Sequence, residues 1–334
     1  MNMHQRRTCA RLVLSLVLGA TIAATAAPAH AAAPIQGGQA PGYYRIMVGT
    51  IEVTALSDGT IDFPMDTLLV GETPDAIRAA YKKAFQRLPA ESSMNQFLVN
   101  TGSRLVLVDA GAGTVFGPTL GNTVASLRAA GYTPEQVDEV VITHMHADHT
   151  GGLAHDGQRT FPNAVLRIAR ADLDFWMNPA NEAKSPEGVR PSFAVAREAL
   201  APYIASGKLE PFDGATQIVP GVRAIPAPGH TPGHTYFAVE SNGEKLLAWG
   251  DVVHAAALQF AHPSVRIAWD SDDGAAEAAR EKAFADAAAK GYIVAGAHLP
   301  FPGLGHVALA GDGKGYVFLP VTYSADRKPV ALAK

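Results

Sequence analysis

Thr143-His144-Met145-His146-Ala147-Asp148-His149 follows the β-branched run Val140-Val141-Ile142 without a break. That run is compact and apolar enough for a buried strand, predicted over residues 137–143. At a strand end residues i and i+2 share a side, so His144 and His146 present their imidazoles to one point. Asp148 and His149 lie just beyond, where the chain must turn, and face a second point a few ångströms away. Gly151-Gly152 lets the backbone turn tightly behind them. Four ligand-type side chains within six positions make a pattern for holding metal rather than a solvated loop.

The chain around this stretch has 334 residues, 48% of them hydrophobic and 17% charged, with a formal charge of −4. That mix is too apolar for intrinsic disorder and lacks the basic excess of a nucleic-acid-binding domain. Residues 1–31 read as a cleavable export signal, with Arg6, Arg7 and Arg11 before an apolar stretch over 12–23 and small residues at Ala29-His30-Ala31. Without them the charge falls to −7, and no cysteine is left, because Cys9 is the chain's only one. Any metal site must then be built from His and carboxylates. The expected division is a signal peptide over 1–31, an extension over 32–42 and a single domain over 43–334. The product is expected to be periplasmic or secreted, without stable membrane association.

Short apolar runs alternate with helix-like stretches. Strands are predicted over 44–53, 95–99, 105–109, 165–169, 222–225, 235–239, 246–249 and 292–295, with a last hairpin pairing 306–309 and 316–319 across Gly311-Asp312-Gly313. Helices are predicted over 74–86 with Thr73 as N-cap, over 121–130 closed by Gly131, and over 274–290 closed by Gly291. Hairpins mixed with strand–helix alternation point to an α+β architecture of mixed sheets with helices outside.

His-x-His-x-Asp-His after a buried strand resembles the metallo-β-lactamase-fold hydrolases. The resemblance implies an αββα sandwich, two mixed sheets face to face with helices outside. It also implies three further ligands: His230 in Gly229-His230-Thr231, the bridging Asp251 in Gly250-Asp251, and His298 in Gly296-Ala297-His298. His144, His146 and His230 would hold one zinc and Asp148, His149 and His298 the other; Mn, Co, Fe or Ni suit such ligands too. Asp148 and Asp251 would be the catalytic carboxylates. Two divalent cations against these carboxylates and a bridging hydroxide leave one net positive charge. That suits attack on a neutral electrophile. Asp109 matches a family position that supports the metal loop from behind, and His234 is expected to support its loop rather than bind metal. His155, His262 and His306 are expected at the surface or satisfied in the core.

The sequence around His230 and His298, together with the export signal, resembles the methyl-parathion-hydrolase-like branch, which holds lactone and aryl-ester hydrolases alongside phosphotriesterases. Leu68, Leu69, Phe116, Trp176, Phe193, Ile267 and Trp269 lie where the family places loops over its metal cleft, and His254 lies three residues beyond Asp251. Together they suggest an apolar slot for a small neutral ester or lactone. No basic cluster lies among them, which disfavours an anionic phosphodiester or glutathione thioester. The leading expectation is an exported di-zinc lactonase and aryl esterase, with an organophosphate triesterase as first alternative. A β-lactamase and a non-catalytic periplasmic metal-binding protein follow. A homodimer is compatible with all of them.

Overall fold

In a computed structural model of the chain, residues 33, 35, 37–185, 187, 189–311 and 313–324 are described. The expected signal peptide over 1–31 lies outside the described residues, as does Asp312 of the last predicted turn. Among the described residues no helix is long and apolar enough to cross a membrane.

Two mixed sheets carry the fold. The first contains β1 (Tyr43–Val48), β2 (Ile51–Phe63), β3 (Ala90–Asn100), β4 (Leu105–Val108), β5 (Glu139–Ile142) and β6 (Val165–Ile168), in that spatial order. Its neighbours are antiparallel until β4, β5 and β6, which run parallel. The second holds β7 (Thr216–Val219), β8 (Val222–Pro226), β9 (Thr235–Ser241), β10 (Glu244–Ala248), β11 (Ile293–Ala295), β12 (Leu304–Leu309) and β13 (Tyr316–Pro320), also in order. There only β10 and β11 are parallel.

The inner faces pack on each other. Val53, Phe97, Val106 and Val141 from the first sheet form one buried cluster with Val222, Phe237, Leu246 and Leu304 from the second. Alternate residues of the same strands face outward. Leu98, Leu107 and Val140 meet Leu127 of α2 (Thr123–Ala129), Trp176 of α3 (Arg170–Trp176), and Phe193 and Leu200 of α4 (Arg190–Ala205). On the other side Tyr236, Leu247 and Val294 meet Ala283, Phe284 and Ala287 of α5 (Asp273–Lys290). This is the expected αββα sandwich. Burying each such large apolar side chain contributes about 1.5–3 kcal/mol.

Local signals fall where the sequence puts them. Thr73 accepts a hydrogen bond from Ala76 N at 3.2 Å to cap α1 (Pro74–Lys83), and Gly291 ends α5 with φ +68°. The expected strand over 44–53 is instead two strands. Gly49 turns the chain at φ +59°, where a β-carbon would meet Ser241 O at 2.4 Å. Helix α4 was not foreseen, because Pro191 and Pro202 interrupt its periodicity.

Candidate metal centre

Parallel strands direct their C-terminal ends to one edge of the sandwich. β5 leads into His144, His146, Asp148 and His149. The loop between β8 and β9 supplies His230, the turn after β10 supplies Asp251, and the turn after β11 supplies His298. The two inner sheets thus contribute to one place residues more than 150 positions apart.

Two groups, each with its ligand atoms within 4.8 Å of one another, share Asp251: His144, His146 and His230 in one, Asp148, His149 and His298 in the other. In the first, His146 Nδ1 lies 3.0 Å from both His144 Nε2 and His230 Nε2, and His230 Nε2 lies 3.3 Å from Asp251 Oδ2. In the second, His149 Nε2 lies 3.2 Å from Asp251 Oδ1, and His298 Nε2 lies 3.0 Å from Asp251 Oδ2 and 3.5 Å from Asp148 Oδ2. Among the described residues, His149 Nε2 and Asp251 Oδ1 are buried without a hydrogen-bond partner although they face each other. Lone pairs converging on a common point, left unpaired by protein, fit a cation as the missing partner.

The electrostatics point the same way. Burial and neighbouring imidazoles depress the His144 and His146 pKa values well below normal. At His149 burial acts in that direction too, yet Asp251, Asp148 and Asp109 outweigh it and hold the imidazole well above its ordinary range. His230, against burial, is raised to about 9 by Asp251 and Asp270. Burial would raise Asp251, but the surrounding imidazoles hold it well below the usual carboxylate range. Around Asp251 the carboxylates favour positive charge at His149 and His230, while His144 and His146 are kept as the neutral rings a metal requires.

Supporting contacts are specific. Asp109, with φ +62°, accepts bonds from Thr143 N and Thr143 Oγ1 at 2.8 Å each, and its Oδ2 lies 2.9 Å from His149 Nδ1. His234 lies outside both ligand groups. Its Nε2 accepts from Asp251 N at 3.1 Å and its Nδ1 donates to Ala227 O at 3.2 Å. That neutral state agrees with a pKa pushed down to about 3, first by burial. Among the histidines expected away from the site, His155 is exposed beside Asp156, His262 is exposed, and His306 Nδ1 meets Gly291 O at 3.0 Å.

Two supports escaped the sequence reading. Asp172 accepts from Met145 N at 2.8 Å and Gly233 N at 2.7 Å, and Asp270 Oδ1 lies 2.7 Å from His230 Nδ1. Each sits among other acidic residues, Asp174 beside Asp172 and Asp272 and Asp273 beside Asp270, so only the tertiary contact singles it out.

A cavity of about 270 Å³ opens over His146, Asp148 and Asp251. Of the expected wall residues, Phe116 and Trp269 line it. Leu69 and Ile267 do not: they pair across a short antiparallel ladder and are buried in a satellite core, with Leu68 packed against it. Trp176 and Phe193 are buried too, their rings 4.5 Å apart, and Trp176 reaches His146 only from behind, edge-on at 5.3 Å. His254 is buried beside Asp251, its Nε2 3.0 Å from Oδ2, rather than lining the cavity. In their place stand Phe63, Val115 and, at the start of α4, Val189, Ser192 and Val195. The last three recur at helical spacing, a signal that Pro191 conceals.

Comparison with known proteins agrees with this geometry. The hydrolase AbOPH of the beta lactamase superfamily is 35% identical, with 86% of this chain and 100% of that one aligned at a TM-score of 0.81. AidC, a dizinc quorum-quenching lactonase solved with the product N-hexnoyl-L-homoserine, is 27% identical, with 85% and 98% aligned at a TM-score of 0.77. Among curated relatives, an N-acyl homoserine lactonase of Bacillus sp is 28% identical over 34% of this chain and 38% of its own length. An atrochrysone carboxyl ACP thioesterase of Aspergillus fumigatus is 30% identical over 48% and 39%. The chain therefore spans about two fifths of the length of these curated relatives. The family profile described as the metallo-beta-lactamase superfamily matches residues 91–298, more than half of the chain. With a dinuclear His/Asp metal site at the shared edge of two mixed sheets, this chain belongs to the metallo-beta-lactamase superfamily.

Proposed function

We propose that this metal-dependent hydrolase opens lactones and cleaves aryl esters, using two zinc ions held by His144, His146 and His230 on one side, Asp148, His149 and His298 on the other, and Asp251 between them. The observation that carries the reading is the apolar cavity seated directly on these ligands. Among the described residues its walls hold no Lys or Arg, so no side chain there would pair with an anionic group, and its size lies at the small end of ligand sites. The lactonases among the similar proteins support the same substrate class.

When bound, two divalent cations would polarise the carbonyl oxygen and so make its carbon more electrophilic, and would lower the pKa of bound water to about 7. The chain's own residues do the rest. Phe63, Phe116 and Trp269 exclude water and hold the acyl or aryl group over His146. Asp251, buried and ionised, keeps the two cages in fixed register. Asp148, whose side chain is 16% exposed at the cavity floor, is placed to take the proton lost by the attacking water and pass it to the departing alkoxide or phenolate.

We include export in the proposal, supported by the basic and apolar segments of residues 1–31; N-terminal sequencing of the secreted product should begin near Ala32. The central test is kcat/KM of the zinc-loaded protein for an acyl-homoserine lactone and dihydrocoumarin against a dimethyl aryl phosphotriester and nitrocefin. Lactone or aryl ester is expected to lead. A faster phosphotriester or β-lactam would overturn the assignment, and two bound metals with no turnover of any of these would favour a binding protein.

A further inference from the structure

His230 is held from outside the cluster through both its ring and its backbone. Its Nδ1 faces Asp270 Oδ1 at 2.7 Å, and the Asp270 side chain is 0% exposed. A carboxylate accepts only, so the ring proton sits on Nδ1 and the lone pair of Nε2 is turned toward His146 and Asp251. The backbone is laced in the same sense: Ser271 N donates to His230 O at 2.9 Å and Asp272 N to Gly229 O at 3.0 Å.

Behind Asp270 stands a buried cation. Arg280 of α5 is 1% exposed, with Nη2 3.7 Å from Asp270 Oδ2. Its other donors reach Val252 O at 2.8 Å, Pro263 O at 2.9 Å and Val265 O at 2.7 Å. Val252 adjoins Asp251, while Pro263 and Val265 open the segment that leads to Trp269 and Asp270. One guanidinium therefore holds two pieces of chain that bear on the first cage, the turn carrying Asp251 and the segment leading to Asp270. The second cage is supported differently: Asp109 holds His149 Nδ1 with Thr143 as its further partner.

We propose that Asp270, braced by Arg280, is a positioning residue that sets the metal affinity of the His144–His146–His230–Asp251 cage separately from the cage around His149. The inference rests on the two-metal reading above. A buried ion pair serving only the core would influence folding without distinguishing one cage from the other.

The full-length protein, loaded with Zn²⁺ and titrated with a competing chelator, distinguishes these cases. The wild type should hold two equivalents. In Asp270→Ala one equivalent should weaken about 10- to 100-fold while the other stays within about twofold. Asp270→Asn, which keeps an acceptor oxygen, should show a smaller shift of that same equivalent, and Asp109→Asn should weaken the other one. Equal weakening of both equivalents by Asp270→Asn, or no change in either, would overturn the proposal. A wild type that binds only one equivalent would instead refute the two-metal reading. Should the variants fail to fold, nitrogen-15 histidine spectra of the zinc-loaded wild type decide: the His230 proton is expected on Nδ1, and finding it on Nε2 would refute the role of Asp270.

Discussion

Asp172 ties the two loops that carry the first cage, and its removal should be felt before any metal is bound. Its carboxylate is 1% exposed and accepts from Met145 N, between His144 and His146, and from Gly233 N, three residues beyond His230. Hydrogen bonds to a charged acceptor contribute about 1.5–3 kcal/mol each, so two would give roughly 3–6 kcal/mol. Burial opposes part of this, since it raises the Asp172 pKa even against the two N–H donors. The expected loss for Asp172→Ala is therefore near the lower bound, about 3 kcal/mol, a sizeable share of the 5–15 kcal/mol typical of folded domains. Asp172→Asn can keep one acceptor and should lose about half as much. Chemical denaturation of the metal-free protein, followed by the fluorescence of its three tryptophans, reads the effect. A loss below about 1 kcal/mol for Asp172→Ala would refute the reasoning, because two buried N–H groups would then have found other partners.

Chelation should abolish hydrolysis reversibly, and free Zn²⁺ at 100 times the dissociation constant of one site should stabilise the fold by about 2.7 kcal/mol in thermal scans. Phe116→Ala, at a wall residue that is 41% exposed, should change stability by no more than about 1 kcal/mol while raising KM for long-chain substrates more than for short ones. Gly250→Ala should cost about 3 kcal/mol in denaturation, because φ is +53° and the new β-carbon would come 2.6 Å from His234 Nε2, displacing the bond to Asp251 N.

The residues of the centre were legible where chemistry and spacing coincide. His144 to His149 sit on a strand end whose apolar run is unmistakable, while His230, Asp251 and His298 were reached only through the resemblance to the metallo-β-lactamase fold. Their supports were not legible. Asp172 and Asp270 reach their partners across 27 to 61 positions, and nothing in the sequence separates these buried braces from neighbouring acids such as Asp174 and Asp272. The cavity walls failed for another reason. Leu69, Phe193 and Phe116 are equally apolar, and only packing decides that the first two fill a core while the third faces the opening. Gly49 was misread because alternation continues through the turn on both sides.

The ligands run from His144 to His298, and Cys9 is the chain's only cysteine, so no intramolecular disulfide can join the two sheets. When loaded, the metal pair is a cross-link of the native sandwich alone: it ties together ligands up to about 150 residues apart, and it is lost with the site when the chain unfolds. Stripping the metal from this protein should therefore take stability from the folded state only, with every apolar contact left in place and the unfolded ensemble unchanged.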